Sequence, residues 1–183
     1  MLAQRAGLDL DTRKLDDNAY QFIPAPADEV LETLLNVEKF LYDEGIPQPP
    51  NFLDAGCGIG NVLLIALAAG YEPVSGVDLN PAAIETAKTL LSATAIGQYF
   101  KLDIGNILSY DKYNSFDVIY YYHPLGNRRL QIEFERKVEK ECKKGGIIVA
   151  ALKEDLAITK RHDFTHLPKL EASGLLKVFR KNA

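Results

Sequence analysis

Three glycines at alternate positions follow an acidic residue in the first third of the chain. The sequence F-L-D-A-G-C-G-I-G occupies positions 52–60. Glycine tolerates left-handed backbone conformations and lets a ligand approach bare N–H groups. Apolar residues at 62–69 predict a helix directly after this turn, and Gly70 stands where that helix should end. The turn therefore lies between a strand's carboxyl end and a helix's amino end, where nucleotide-like ligands bind in open α/β sheets.

The spacing and the acid narrow the choice of ligand. G-x-G-x-G differs from the G-x-G-x-x-G of dinucleotide-binding folds, and no Gly-Lys-Ser/Thr follows to hold a triphosphate. Asp54 would repel a pyrophosphate but attract the ammonium and sulfonium groups of S-adenosylmethionine. D-A-G-C-G-I-G resembles motif I (D/E-x-G-x-G-x-G) of the class I, Rossmann-like S-adenosylmethionine-dependent methyltransferases. This resemblance implies cofactor contacts from Asp54, Ala55, Gly56, Cys57, Gly58, Gly60 and Asn61. A purely structural strand-to-helix turn is the alternative.

A second acid, Asp78, ends the next predicted strand, at residues 73–78. Asp78 comes 24 residues after Asp54, close to the roughly 20-residue offset at which an acid holds a ribose in nucleotide-binding units. G-V-D-L-N-P resembles motif II of the same family, which implies that Asp78 accepts hydrogen bonds from both ribose hydroxyls and that Leu79 contacts the cofactor. Asp78 could instead cap the following helix, although Asn80, before Pro81, is the better cap candidate.

The third predicted strand, at residues 98–102, is followed by Asp103 and Ile104. In the resembled family an acid at this point holds the adenine amino group, and the next backbone N–H reaches the ring. The resemblance therefore adds Asp103 and Ile104 to the cofactor site. An exposed loop aspartate with no ligand is the competing interpretation.

The fourth predicted strand, at residues 116–121, leads into Tyr122, His123, Pro124 and Leu125. The resemblance places motif IV here, where the methyl group meets its acceptor. The Asn/Asp/Ser-Pro-Pro-aromatic sequence of DNA amino-methyltransferases is missing, so such an enzyme is not expected. Tyr121 and Tyr122 could border a sulfonium or a methylated ammonium, and His123 could take a proton, so these three are the catalytic candidates, with Tyr121 also a cofactor contact. Alternate tyrosines on a strand can equally be core residues, and methyl transfer does not demand a base.

The whole pattern predicts a three-layer α/β/α Rossmann-like fold with a mostly parallel sheet of six to seven strands. Helices are expected at 28–42 and 130–144, and further strands at 147–152 and 175–180. A short helix is expected at 167–172. Six strands are evident. The seventh either lies near residues 157–159 or is lost from a reduced C-terminal hairpin. Arg128 and Arg129 at a helix start hint at an anionic partner, with a solvated pair as the alternative.

Composition sets the remaining expectations. The 183 residues suit one domain, with residues 1–21 as an arm that could form a lid and 22–183 as the methyltransferase domain. No apolar run reaches the length of a membrane span or signal peptide, which favours a cytoplasmic protein. A net charge of −4 argues against broad nucleic-acid binding, since such proteins are usually basic. Cys57 and Cys142 are expected to be free thiols, and no metal-binding cluster is evident.

The acceptor is the least determined part of the prediction. Residues 22–26, F-I-P-A-P, resemble the entry segment of small Dot1-like protein-lysine methyltransferases. The resemblance favours a protein lysine as acceptor, with a small metabolite second and a non-catalytic S-adenosylmethionine-binding module third. An NAD(P)-dependent oxidoreductase conflicts with Asp54 and the glycine spacing. The sequence leaves the oligomeric state open.

Overall fold

The computed structural model describes residues 25–92 and 96–182. Its helices are α1 (Ala27–Asp43), α2 (Asn61–Ala68), α3 (Pro81–Ser92) and α4 (Arg128–Glu141). Its strands are β1 (Phe52–Ala55), β2 (Val74–Asp78), β3 (Phe100–Ile104), β4 (Val118–Tyr122), β5 (Ile147–Ala151), β6 (Phe164–His166) and β7 (Leu176–Lys181). The predicted arm at 1–21 and most of the F-I-P-A-P segment lie outside the described residues.

The seven strands form one sheet in the order β3-β2-β1-β4-β5-β7-β6. The first five strands are parallel, whereas β7 is antiparallel to both β5 and β6. The chain moves outward from β1 through β2 to β3 and then returns to the other side of β1 as β4. This reversal opens a crevice at the carboxyl ends of β1 and β4, where open α/β sheets bind ligands.

Two apolar layers cover the sheet because successive strand residues point to opposite faces. Phe52 and Tyr120 pack with α1, α2 and part of α3, whereas Leu53 and Tyr121 pack with α4. Residues 105–117 add no α-helix to the layer that contains α4, because they form a loop with a short 3-10 turn. The predicted three-layer, mostly parallel fold is confirmed. Among the described helices, none is long and apolar enough to cross a membrane.

Several predicted boundaries need correction. The third strand begins at Phe100, so that Asp103 and Ile104 belong to it and do not follow it. The seventh strand is the three-residue β6, not residues 157–159, which form a 3-10 turn. The helix expected at 167–172 is a single 3-10 turn, Pro168–Leu170. A strand this short offers too few alternating positions for its periodicity to be visible in the sequence.

Candidate functional site

The glycine turn is fixed to the strand beside it. Gly56, Gly58 and Gly60 have φ angles of 88°, 53° and 84°, in the left-handed region that only glycine adopts at low cost. The N–H groups of Gly56 and Cys57 both donate to the carbonyl of Val77, at 2.8 and 3.1 Å. Because β2 orders the turn through these bonds, no ligand is needed to shape it.

Asp78 holds the turn from the end of β2. Its Oδ2 accepts a hydrogen bond from the Gly58 N–H at 2.8 Å, and its Oδ1 accepts one from the Asn80 N–H at 2.8 Å. Asn80 caps α3 by accepting from Ala82 N–H at 3.0 Å, as the sequence predicted. A carboxylate has about four lone-pair directions, so Asp78 can accept further donors while it keeps both of these.

Asp54 is a buried acid beneath the turn, with 3% of its surface exposed. Burial, and then the charge of Asp78, raise the pKa of this carboxyl well above its usual value. Among residues 25–92 and 96–182, none donates a hydrogen bond to the side-chain carboxylate of Asp54. A buried carboxylate without a donor suits a cation. The residues present therefore fit S-adenosylmethionine, whose ammonium Asp54 would hold.

The neighbouring strand ends suit the adenosine part of such a ligand. Leu79 and Ile104 follow or end adjacent strands and are 46% and 52% exposed, so that apolar surface is open to a planar ring. Asp103 is also exposed and forms an ion pair with Lys112 at 3.3 Å. Both interpretations of Asp103 from the sequence therefore remain compatible with its position.

The other motif I side chains differ in accessibility. Ala55 is fully buried in the α4 layer. The Cys57 thiol points inward, because a Cβ added to Gly76 would lie 2.7 Å from its Sγ. Asn61 is partly exposed as the first residue of α2. Cys57 already uses its N–H within the turn, so Asn61 is the better placed of these three to reach a ligand.

Tyr121 requires a correction, because the structure buries its side chain completely. It packs edge-on against Phe134 of α4, and its hydroxyl lies 3.4 Å from Lys153 Nζ. Tyr122 points to the opposite face, and its ring is only half-buried. Strand alternation thus brings Tyr122, but not Tyr121, to the crevice.

His123 lies directly after β4 in a strained conformation. Its φ is 37°, and Leu152, which follows β5, has a φ of 51°; bulky residues rarely adopt such values. His123 Nδ1 lies 3.2 Å from the Leu152 carbonyl oxygen. Because a carbonyl oxygen can only accept, Nδ1 must carry the hydrogen, and in the neutral ring Nε2 then carries the lone pair.

The His123 segment also contacts the glycine turn. A Cβ added to Gly56 would lie 2.6 Å from Pro124 Cβ, closer than real side chains approach one another. Gly56 therefore lacks a side chain for two reasons, its positive φ and the proline above it. Pro124, which packs on the proposed cofactor turn, directly follows His123 in the sequence.

A buried ionic cluster beside β4 and β5 was missed by the sequence analysis. Lys153 Nζ, 1% exposed, lies 3.0 Å from Glu135 and 2.8 Å from Glu139. Burial raises the pKa of Glu139 despite the nearby Lys153 and Arg161. Gln131, Glu135 and Glu139 recur every four residues along α4, and this spacing was the available signal. The charges concealed it, because such residues normally face solvent.

The chain is also similar to known methyltransferases. The chain matches a family described as "Methyltransferase domain" over residues 50–171. An rRNA methylase from Streptococcus thermophilus has a TM-score of 0.61 and 16% identity, with coverage of 89% of this chain and all of the other. An RNA methyltransferase from Salinibacter ruber in complex with S-adenosylhomocysteine gives 0.60, 14%, 86% and 91%. A putative S-adenosylmethionine-dependent methyltransferase from Methanococcus maripaludis gives 0.57, 13%, 92% and 98%.

At these identities the solved structures establish the fold alone. The family match carries more weight, because it spans well over half of the chain and includes the glycine turn, Asp78 and His123. The fold, the site and the match agree, and the chain belongs to the methyltransferase-domain family of S-adenosylmethionine-dependent enzymes.

Proposed function

We propose that this enzyme methylates an amine nitrogen, with a protein lysine side chain as the favoured acceptor. The observation that carries the proposal is that Tyr122, which ends β4 directly before His123, lies within electrostatic reach of the Glu29 carboxylate of α1. Partial burial, and then the nearby charge of Glu29, raise the pKa of Tyr122. An aromatic ring next to a carboxylate attracts an alkylammonium group, so a lysine could dock here before it loses its proton.

The residues around the crevice have different proposed roles. Asp54 would hold the cofactor ammonium, Asp78 the ribose hydroxyls, and Leu79 and Ile104 the adenine. When bound, S-adenosylmethionine would supply an electrophilic methyl group on a sulfonium, with neutral S-adenosylhomocysteine as the leaving group. His123 Nε2, which holds the lone pair of the neutral ring, would accept the proton that the amine must lose.

RNA and a small metabolite are alternative acceptors. Similar structures include proteins described as RNA or rRNA methylases, so the expectation from composition that nucleic acid is an unlikely partner is not supported. A small metabolite is the other candidate for the acceptor. A module that binds the cofactor without turnover would share the whole cofactor site and differ only around His123.

Transfer of label from radioactive S-adenosylmethionine into a host lysate separates these cases. We expect label in protein, recovered as methyl-lysine after acid hydrolysis. We also expect His123→Gln to lower kcat by roughly 10²-fold or more while the affinity for S-adenosylhomocysteine stays unchanged. Label in RNA or in the small-molecule pool would overturn the lysine assignment. Tight cofactor binding with no label in any fraction would indicate a binding module.

A further inference from the structure

The inner side of α4 carries polar residues where apolar ones are normal. Gln131 and Glu135 are fully buried, and Glu139 is 2% exposed. Residues four apart lie on one face of a helix, and Gln131 Nε2 donates to Glu135 Oε1 at 2.9 Å. Burying such groups is costly unless each finds partners, and the partners of Gln131 and Glu135 lie in the segments that follow His123 and Leu152.

The first link runs from α4 to the segment after His123. Gln131 Oε1 accepts a hydrogen bond from the Leu125 N–H at 3.1 Å. Leu125 is two residues beyond His123, and Pro124 between them packs on Gly56. Gln131 therefore fixes the far end of the short turn that contains His123.

The second link runs from α4 to the segment after Leu152. Glu135 accepts hydrogen bonds from the N–H groups of Glu154 and Asp155, at 3.0 and 2.7 Å. It also forms the ion pair with Lys153. The residue before these three is Leu152, whose carbonyl receives the His123 Nδ1 hydrogen bond. The Glu135 carboxylate thus fixes the segment that follows Leu152, and the Leu152 carbonyl accepts the hydrogen bond that orients His123.

We propose that Gln131 and Glu135 are positioning residues that hold His123 and Leu152 together and so keep the His123 ring in its Nδ1–H form. His123 and Leu152 are hydrogen-bonded to each other. The segment of His123 is connected to Glu135 through Gln131, and the segment of Leu152 is connected to Glu135 through the N–H groups that follow it. The catalytic consequence rests on the proposed role of His123, whereas the orientation of the ring does not.

The test is long-range ¹H–¹⁵N NMR of the full chain labelled at its three histidines, with His123→Gln used to assign the His123 signal. In the wild type we expect neutral His123 in the Nδ1–H form. In Gln131→Met the ratio of Nδ1–H to Nε2–H forms should fall by roughly fivefold or more, as the loss of one hydrogen bond implies. Because Gln131 is buried, Glu135→Gln serves as a second variant if melting shows that Gln131→Met does not fold.

Glu139→Gln is the matched control, because Glu139 shares the helix face and the Lys153 partner but accepts no backbone N–H from either segment in the described parts of the chain. It should leave the His123 tautomer unchanged. The proposal fails if every test variant that folds keeps the wild-type tautomer, or if Glu139→Gln changes it as much as they do. Calorimetry with S-adenosylhomocysteine runs in parallel. Failure of the wild type to bind would count against the proposed function and leave the NMR result standing.

Discussion

The two halves of the sheet's carboxyl edge are built in different ways. The half at β1 to β3, where we propose that the cofactor binds and which we call the cofactor half, consists of glycines in left-handed conformations and acids such as Asp78, which accepts a hydrogen bond from the Gly58 N–H. The acceptor half, at β4 and β5, relies on charges buried beneath it, with Lys153 between Glu135 and Glu139. The first half is ordered by its own backbone, whereas the second is ordered by a helix.

This difference has consequences for stability. In the cofactor half, Asp78 is partly exposed at the end of β2, and Asp54 is buried beneath the turn without an opposite charge beside it among the described residues. The ions of the acceptor half are sealed from water, so each depends on the others for compensation. Substitutions among the buried ions should therefore act on folding, whereas substitutions of Asp54 and Asp78 should change ligand binding as well as folding.

The largest effect is expected for Lys153→Met. Removal of the cation leaves the buried Glu135 without its ion-pair partner and Glu139 with Arg161 alone among its described ion-pair partners, and breaking a buried pair typically costs about 3–5 kcal/mol of unfolding free energy. Lys88→Met, at an exposed pair with Glu85, should change stability by less than about 0.5 kcal/mol. Urea unfolding measures both. Equal effects of the two substitutions would mean that the buried cluster does not stabilise the acceptor half.

Gly56→Ala tests the point where the halves touch. The left-handed conformation should cost an alanine about 1–2 kcal/mol, and the collision with Pro124 about 1–3 kcal/mol more. Gly45→Ala is the control, because Gly45 has a φ of 73° and nothing within 4 Å of an added Cβ. Unfolding free energies should show the larger loss at Gly56. Identical losses would show that Pro124 yields without cost.

Asp78→Ala should affect both binding and folding. Loss of two charge-assisted hydrogen bonds to the ribose should weaken S-adenosylhomocysteine binding by roughly tenfold to a hundredfold or more. Contrary to the expectation for an acid that only waits for ligand, the unliganded protein should also lose about 1–3 kcal/mol, because Gly58 and Asn80 N–H lose their acceptor. Calorimetry and urea melts separate the two effects. Unchanged affinity would leave Asp78 with a structural role alone.

Asp54→Asn should stabilise the unliganded protein at neutral pH. Well below the usual pKa of 3.8 both the folded and unfolded states hold the proton, so the raised pKa has no effect there. As pH rises toward the folded pKa, only the unfolded state ionises freely, and the native state loses about 1.4 kcal/mol for each pKa unit. The stability advantage of the amide variant over the wild-type acid should thus grow as the pH rises above the usual carboxyl pKa.

The same variant should bind S-adenosylhomocysteine more weakly, because the amide carries no charge for the ammonium. Asp103→Asn, at an exposed carboxylate paired with Lys112, should change stability by less than about 1 kcal/mol. An Asp54→Asn protein that is less stable at every pH would show that the burial of Asp54 is compensated in the free protein.

The sequence by itself predicted the glycine turn, the acids beside it and the fold around them. Glycines at alternate positions after a buried strand, and an acid at the end of the next strand, are local patterns with direct backbone causes. Each can be assigned to the end of a strand from the order of residues alone. The parallel order followed, because strands alternating with helical segments return to the same edge of a sheet.

Only the tertiary structure decided the acceptor half. The face of each tyrosine depends on strand register, and a shift of one residue exchanges Tyr121 and Tyr122 between core and crevice. The burial of Gln131, Glu135 and Lys153 depends on partners contributed by different elements, as does the pairing of His123 with Leu152. A charged helix residue has the same local sequence whether water or another ion compensates it, and three-dimensional packing alone distinguishes the two.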